Sequence, residues 1–571
     1  MVSDERALAT WLAGRDDAAL AATLAARGIS ASATWSDFFD AAEALLDPAS
    51  IDRALARLPR SALTSLAGEG APRHPVLADL GLIRDDARPY GAVTERVEAL
   101  VAAHPSAFAP HEASPPRVPA DDRAAAAAAE RAFTTAGSLA DVLLAGLHVP
   151  FTRTGAGSVT AADRKRLTEA GALGDEDDLE DLLAAAGAAG LAVPAERSWL
   201  VTDAGELWLA APTTERWVSI AEGFRAALPE GLRTPDGGVV DPALWDSAYP
   251  LDPDWPHRVA RLRRIGVQWG LLAPDPAEFA WTAALRQGAH ADPSHLAALL
   301  PAEIDRVYLQ ADLTAIAPGP LAPALDLRLR GIALRESRAQ ASTYRFTAES
   351  LGAGMTEGET AGSITAFLSE LSLTGIPQPL AYLIESTAVR HGLVRVGGDA
   401  ASDRTRIETS DAALRDTIAI DQALRPLGLL RDGDALVSRV ARDAVYWTLA
   451  DARYPVVAID EAGAPELVRR RTSAAAPPPP PTAAQTYQRV ISTLRGGHGT
   501  DGEEGWLGRE LEQAVRARSE IVVVVRMPDG SERALTLEAS GLGGGRLRGR
   551  DRAADIERTL PVSSIISVRP A

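Results

Sequence analysis

Hydrophobic residues recur at helical spacing along the first part of the chain. Leu8, Leu12 and Leu20 repeat with the period of one helix face. Pro59 is expected to end one helix, and the apolar pattern resumes directly after it. The sequence therefore predicts an N-terminal helical domain over residues 1–110.

A different order of elements is predicted over residues 120–212. The alanine-rich stretch that begins this region is interpreted as two helices because Ser138, a favoured N-cap residue, interrupts it. Thr160 is predicted to cap another helix, and the acidic stretch 175–189 is predicted to form the next one. An alternating segment over 198–209 follows. This order of helices followed by a hairpin resembles a winged helix.

The helix in the recognition position of this winged-helix-like domain is strongly acidic. Residues 175–181 carry six carboxylates, which DNA phosphates would repel. We therefore expect the domain to contact protein or to serve the structure. Its nucleic-acid candidates are Arg164, Lys165 and Arg166 on the preceding helix, with a solvated helix face as the alternative.

Tryptophan is concentrated in residues 213–298, a region predicted to be helical. Apolar side chains at helical spacing usually form core, so we expect these indoles to be buried and not to form a base-stacking platform. The tryptophans are Trp217, Trp245, Trp255, Trp269 and Trp281.

Strands and helices mix over residues 299–465. The alternating segment 305–317 is predicted to be one strand, and amphipathic helices follow it. Four segments here resemble actinobacterial helicase-associated proteins, whose shared region is similar to the N-terminal domain of XPB-type DNA-repair helicases. The segments are Val307–Thr314, Ala317–Leu321, Ala341–Thr347 and Gly375–Ile384.

The resemblance covers about residues 295–460 and implies a role in recognising damaged DNA or partner proteins. It implies that Gln310, Asp312 and Gln378 are candidates for partner contact. The alternative for these residues is structural, because a polar side chain on an alternating strand can simply face water.

The last part of the chain begins with a proline-rich linker, residues 472–486, which contains five consecutive prolines. Residues 487–571 are predicted to form a helix followed by a small β-barrel. This order resembles WYL-type domains, although Gly545-Arg546-Leu547 stands near the place of the tripeptide that gives those domains their name.

Four arginines alternate along a predicted strand of this C-terminal domain. Alternate residues of a strand share one face, so these guanidinium groups are predicted to align as a site for phosphates or single-stranded nucleic acid. The alternative is a solvated strand face. The arginines are Arg546, Arg548, Arg550 and Arg552.

Composition narrows the chemistry of this chain of 571 residues. Its net charge of −19 requires any nucleic-acid contact to be local. The absence of cysteine excludes thiol nucleophiles and thiolate ligands, and His290 and His295 lack the spacing of a helical metal pair. Lys165, the single lysine, follows Arg164, so no Walker A loop is present. We therefore expect no cofactor, no metal site and no nucleotide-driven motor.

No signal peptide is indicated at the N-terminus, and no uncharged window reaches the length of a membrane span, so a cytoplasmic protein is expected. The predicted fold class is multi-domain α+β and mostly helical, with winged-helix-like modules, an XPB N-terminal-like α/β domain and a small C-terminal β-barrel.

The predicted function is a non-catalytic DNA-binding or helicase-associated scaffold in DNA repair. Its expected partners are DNA, in single-stranded or forked form, a repair helicase, or both. The alternative is a WYL-type transcriptional regulator, which would need a basic recognition helix. An enzyme ranks third, because the chain lacks the Gly-x-Ser-x-Gly and His-Glu-x-x-His motifs.

Overall fold

Helices and several small sheets alternate along the chain, as expected for an α+β protein, and helices account for about half of it. The computed structural model describes residues 4–68, 74–111, 116–274, 276–338, 341–399, 404–460, 463, 466, 468, 473–474, 481–498, 503–527, 530–552 and 554–570. The central part of the predicted proline-rich linker, 475–480, lies outside these residues. Within them, no helix is both long and apolar enough to cross a membrane.

The N-terminal region is a set of short helices around one apolar core, as the hydrophobic spacing predicts. Leu8, Leu12 and Leu20 are fully buried in this core. The helices are α1 (Asp4–Gly14), α2 (Asp17–Ala26), α3 (Phe38–Leu46), α4 (Pro48–Ala56), α5 (Arg60–Ala67), α6 (Pro75–Asp79), α7 (Gly91–Ala103) and α8 (Pro105–Phe108).

The next region joins helices to a small sheet in which one strand pairs with strands on both sides. Its elements are β1 (Val118–Pro119), α9 (Asp122–His148), β2 (Phe151–Thr152), α10 (Ala161–Glu169), α11 (Asp178–Ala188), β3 (Ala192–Pro194), β4 (Ser198–Thr202) and α12 (Asp203–Ala210). Strand β4 pairs in antiparallel fashion with both β2 and β3.

One continuous helix, α9, replaces the two helices predicted on either side of Ser138. Ala132, Ala136 and Leu139 are all buried, so the apolar face runs through the expected break. Burial of this face outweighs the local preference of Ser138 for a cap. The predicted cap at Thr160 is confirmed, since its side chain accepts a hydrogen bond from the backbone N–H of Asp163.

The tryptophan-rich region packs on the same core as the preceding helices. Its elements are α13 (Thr213–Ala227), α14 (Trp255–Gln268), β5 (Ala277–Glu278), α15 (Ala283–Arg286) and α16 (Ser294–Ala297). All five tryptophans are at most 2% exposed, which confirms them as core residues. Four of the five indole N–H groups donate to backbone carbonyls, as where Trp217 donates to Trp269 at 2.8 Å, whereas the buried indole N–H of Trp269 has no partner within the described residues.

The segment that follows forms an antiparallel sheet in the order β6-β7-β9-β8, flanked by helices. Its elements are β6 (Tyr308–Leu309), β7 (Thr314–Ala317), α17 (Pro323–Ile332), β8 (Leu334–Arg338), β9 (Ser342–Arg345), α18 (Ala348–Thr356), α19 (Ala361–Leu371) and α20 (Gln378–Arg390). The single strand predicted over 305–317 is wrong, because the chain reverses at Leu313, whose φ is 65°.

The next sheet contains both parallel and antiparallel pairs, in the order β12-β13-β11-β10-β14. Its region contains β10 (Val394–Asp399), β11 (Arg404–Glu408), α21 (Ala412–Ile420), β12 (Leu430–Asp432), β13 (Ala435–Ser438), α22 (Arg442–Asp451) and β14 (Val456–Ala458). The chain then returns to the first small sheet, where β15 (Ser473–Ala474) pairs in parallel with β4.

The C-terminal part contains α23 (Ala483–His498), α24 (Glu503–Ala517), β16 (Glu520–Arg526), β17 (Glu532–Gly543), β18 (Arg546–Asp551), β19 (Ile556–Pro561) and β20 (Ile565–Pro570). Its five strands pair in the order β19-β18-β17-β16-β20. The predicted small β-barrel is wrong, because the described strands form an open sheet. The outer strands β19 and β20 each pair with one neighbour and not with each other.

Helix α23 packs into the N-terminal core although it lies after the proline-rich segment in sequence. Tyr487, Val490 and Leu494 are buried among the N-terminal helices. The hydroxyl of Tyr487 donates to the carbonyl of Ile29 at 2.6 Å. The two ends of the chain are therefore joined by a shared core.

A buried carboxylate joins the tryptophan-rich core to the sheet β6–β9. Asp141 on α9 has a side chain that is 3% exposed, and it pairs with Arg330 at 2.7 Å and with Arg335 at 2.6 Å. Burial opposes the charge of Arg335, but the carboxylates of Asp141 and Asp326 outweigh burial and raise the pKa of this guanidinium. Tyr344 donates to Asp326 at 2.5 Å and extends the network into β9.

Replacing Asp141 with alanine should destabilise the protein strongly. The change leaves two partly buried arginines without their shared carboxylate, and removing one partner of a buried pair costs about 3–5 kcal/mol. The midpoint of urea unfolding measures the effect. Glu336→Ala, which breaks the exposed pair with Arg345 on the same sheet, is the control and should cost less than about 1 kcal/mol. Equal shifts for the two variants would contradict the role of the buried network.

The variant Leu494→Ala should loosen the N-terminal core. Leu494 is fully buried, and truncating such a leucine costs about 2–5 kcal/mol. Amide hydrogen exchange should therefore speed up in α2, against which α23 packs. Arg489→Ala on the exposed side of α23 should change stability by no more than about 0.5 kcal/mol. Unchanged protection of α2 in Leu494→Ala would show that the two ends fold independently.

Candidate nucleic-acid interface

Strand β18 presents its arginines to one side. Arg546, Arg548 and Arg550 are exposed, and they alternate with the buried residues Leu547 and Gly549. This alternation places all three guanidinium groups on the outer face of the sheet. The inner face packs on α24 through an apolar core. The predicted arrangement of arginines on one face is therefore present in the structure, and Arg552 extends it as an exposed residue.

Glycines border the first two arginines on the adjacent strand. In the antiparallel register, Gly543 lies opposite Arg546, and Gly541 lies opposite Arg548. A side chain added at either glycine would meet nothing within 4 Å. On the other side of β18, the residue opposite Arg548 is Thr559, which is uncharged. The space beside these two guanidinium groups is therefore free, and no carboxylate lies opposite them on the neighbouring strands.

A hairpin turn sets the position of Arg546. Gly544 and Gly545 both have positive φ, of 58° and 69°, as a tight two-residue hairpin turn between twisted strands requires. A residue with a side chain at these positions would be strained. The turn places Arg546 at the end of the hairpin, where solvent reaches it from several sides.

The other two arginines already have carboxylate partners. Arg550 pairs with Asp555 at 2.5 Å, and Arg552 pairs with Glu538 at 2.9 Å. Within the described residues, neither Arg546 nor Arg548 forms an ion pair. Arg550 and Arg552 are therefore engaged by carboxylates, whereas Arg546 and Arg548 are available to an external anion.

The net negative charge of the chain lies outside the C-terminal region that contains these arginines. Residues 481–571 contain thirteen arginines and twelve acidic residues, whereas the other 480 residues carry a net charge of −20. An anionic polymer is repelled by most of the chain but not by this part.

The basic cluster on α10 is engaged within its own module. Arg164 pairs with Glu180 at 2.8 Å, Arg166 with Asp163 at 3.0 Å, and Lys165 with Glu169 at 3.7 Å. Hydrogen bonds from Thr152 and Arg166 outweigh the opposing effect of partial burial and lower the pKa of Asp163. These contacts match the alternative of a solvated helix face, and nucleic-acid binding by this cluster stays a prediction.

The acidic helix α11 faces another helix of the same chain. Asp181 is buried and pairs with Arg261 at 2.9 Å and with Arg264 at 3.0 Å, both on α14. Asp178 accepts a hydrogen bond from Gln268 at 3.0 Å. Two of the six acidic residues, Asp178 and Asp181, therefore serve an internal interface, whereas Asp175, Glu176 and Asp177 are exposed.

The three partner-contact candidates differ in their surroundings. Asp312 accepts from the hydroxyl of Thr314 at 2.6 Å and from its backbone N–H at 3.2 Å, within the turn between β6 and β7. Gln310 accepts from the same hydroxyl at 3.2 Å. Gln378, the first residue of α20, is exposed and forms no hydrogen bond through its side chain within the described part of the chain. Gln378 is thus the candidate best placed for an external contact.

Comparison with known proteins gives one informative match. Residues 307–432 match the helicase conserved C-terminal domain. This segment is less than a quarter of the chain and reaches from just before β6 to the end of β12. No curated protein matches the chain. The match points to a helicase-related, helicase-associated protein, for which nucleic acid or a helicase are the expected partners. Such domains are typical of ATP-dependent helicases, which weighs against the expectation of no enzymatic activity.

Sequence reasoning missed the glycines that keep the site open. Gly541 and Gly543 are visible in the sequence, but their position beside the arginines depends on the register between β17 and β18, which contains a bulge. Arg569 on β20 is a further exposed basic residue. It lies opposite Val522, which alternates with the buried Ile521 and Val523 and so faces the outer side of the sheet. The register of the β17–β18 hairpin decides the first feature, and the pairing of β20 with β16 decides the second.

Asp312→Ala and Gln378→Ala should have different effects on stability. The first removes two hydrogen bonds that hold the turn, at a cost of about 1 kcal/mol, and leaves Leu313 with positive φ unsupported. The second should change stability by no more than about 0.5 kcal/mol, because the side chain is exposed. Thermal unfolding of the two variants tests this difference, and equal shifts would refute it.

Proposed function

We propose that this protein is a non-catalytic, DNA-binding scaffold associated with a DNA-repair helicase. The observation that carries the proposal is that Arg546 and Arg548 form no ion pair within the described residues. Both lie on the open outer face of the C-terminal sheet, in the part of the chain that is not acidic. Guanidinium groups donate paired hydrogen bonds to phosphate oxygens, and such contacts supply most non-specific DNA affinity.

The association with a helicase is supported by the match over residues 307–432. We interpret this segment as similar to the N-terminal domain of XPB-type helicases, which makes it the face for a helicase or damaged DNA. A scaffold without catalysis is supported by the sequence, in which Lys165 lacks the glycines of a Walker A loop. An ATPase assay with and without DNA tests this part, and DNA-stimulated hydrolysis that co-purifies with the chain would overturn it.

The winged-helix-like order of residues 120–212 supports a scaffold more than the alternative, a WYL-type regulator. The helix in the recognition position is α11, and its buried Asp181 is held by Arg261 and Arg264. A helix used in this way inside the protein does not enter a major groove. We propose that the module carries an internal interface and that DNA contact belongs to the C-terminal sheet.

The variant Arg546→Ala/Arg548→Ala should lose most of the affinity for DNA. Fluorescence anisotropy of labelled single-stranded, forked and duplex DNA at about 50 and 200 mM salt measures binding, which phosphate contacts make sensitive to salt. Arg53→Ala/Arg123→Ala removes the same charge from exposed positions in the acidic part of the chain and serves as the matched control. It should bind as the wild type does.

Three outcomes would oppose the proposal. Absence of binding to any DNA at the lower salt concentration would refute direct DNA recognition. An equal loss in both variants would assign the effect to net charge and not to the arginine pair. Retained binding in the arginine variant would place the DNA contact outside β18.

A further inference from the structure

We infer that the C-terminal sheet binds DNA through two phosphates of its backbone, with no stacking of bases on aromatic rings and no base-reading side chain beside the two arginines. The inference rests on the proposed function and concerns how its site works. It follows from the surroundings of Arg546 and Arg548 and from the kinds of side chain that the sheet does not offer.

The sheet carries no aromatic side chain on which a base could stack. No aromatic residue or histidine occurs after Trp506 in the sequence. Proteins that bind single strands by stacking place aromatic rings on the binding face, and each stacked base adds substantially to affinity. The exposed residues of β17 to β19 near the arginines cannot fulfil this role.

The neighbours of the arginines are also too short to read base edges. Gly541 and Gly543 flank them on one side, and Thr559 and Pro561 lie opposite them on the other. Asparagine and glutamine, which pair with adenine, are absent from residues 520–570. The surface thus offers two guanidinium groups over a shallow, open floor.

The spacing of the two guanidinium groups suits a repeating anion. Residues two apart on a strand lie about 6.6 Å apart along its axis. The chain can therefore contact two phosphates of one DNA strand from one rigid element. The paired arginines Arg550 and Arg552 are occupied by Asp555 and Glu538 and add little.

Two phosphate contacts give a defined dependence on salt. The slope of log affinity against log salt concentration should be about −1.8 on duplex DNA and about −1.4 on single strands. A slope several times steeper would mean that further basic residues contribute. Since the contacts are to the backbone, affinity should not depend on base identity.

The decisive experiment uses the full chain and three labelled oligonucleotides of one length: a mixed-sequence single strand, the same strand with abasic tetrahydrofuran positions throughout, and a duplex. Fluorescence anisotropy is recorded across a salt series. The expected result is that the abasic strand binds within about twofold of the normal strand, with the shallow slopes given above.

Loss of at least about tenfold in affinity on the abasic strand would overturn the inference, because that is the loss expected for one stacked base. In that case DNA still binds, so the proposed function survives. Absence of binding to all three probes overturns the proposed function and the inference with it. The two failures are therefore distinguishable in one experiment.

A variant series separates charge from shape at the same site. Arg546→Lys/Arg548→Lys should keep the slope, because lysine still neutralises a phosphate as a point charge. Arg546→Ala/Arg548→Ala should remove nearly the whole slope, about 0.9 for each lost phosphate contact on duplex DNA and about 0.7 on single strands. A slope that the alanine variant leaves unchanged would also overturn the inference, provided that its circular dichroism spectrum matches the wild type.

Discussion

The buried carboxylate of Asp141 is the interaction on which the arrangement of the central domains depends. It lies on α9, the longest helix of the tryptophan-rich core, and it accepts from arginines on α17 and β8. A carboxylate that is 3% exposed is tolerated only with charged partners, so the interface cannot open without stranding three charges. The segment that matches a helicase domain is therefore held in one orientation on the core.

Buried arginine contacts recur elsewhere in the chain. Asp181 closes the contact between α11 and α14, and Arg216 is buried against the end of α12, where it donates to the carbonyls of Trp208 and Leu209. Burial lowers the pKa of Arg216 to about 10, so it keeps its charge at neutral pH. Arginine thus serves mainly as a structural residue in this protein, and the exposed pair on β18 departs from that use.

Sequence reasoning succeeded where the signal was local. The cap at Thr160 and the alternation of β18 depend on residues a few positions apart, and both are present. It failed where tertiary contacts decide: an apolar residue, Leu313, occupies the left-handed turn that splits the predicted strand. The docking of α23 depends on partners hundreds of residues away, and the open sheet depends on how five strands within residues 520–570 pair, which no local pattern contains.

The acidity of the chain and the openness of β18 act together at physiological salt. Charges more than about 8 Å away are largely screened, so the acidic remainder of the protein weakens DNA binding less than its net charge indicates. Two unpaired arginines beside glycines can then bind phosphates locally, while the acidic surfaces discourage contact elsewhere. The same screening limits the affinity of a two-arginine site, so under the proposed function a helicase partner would supply the rest of the binding energy.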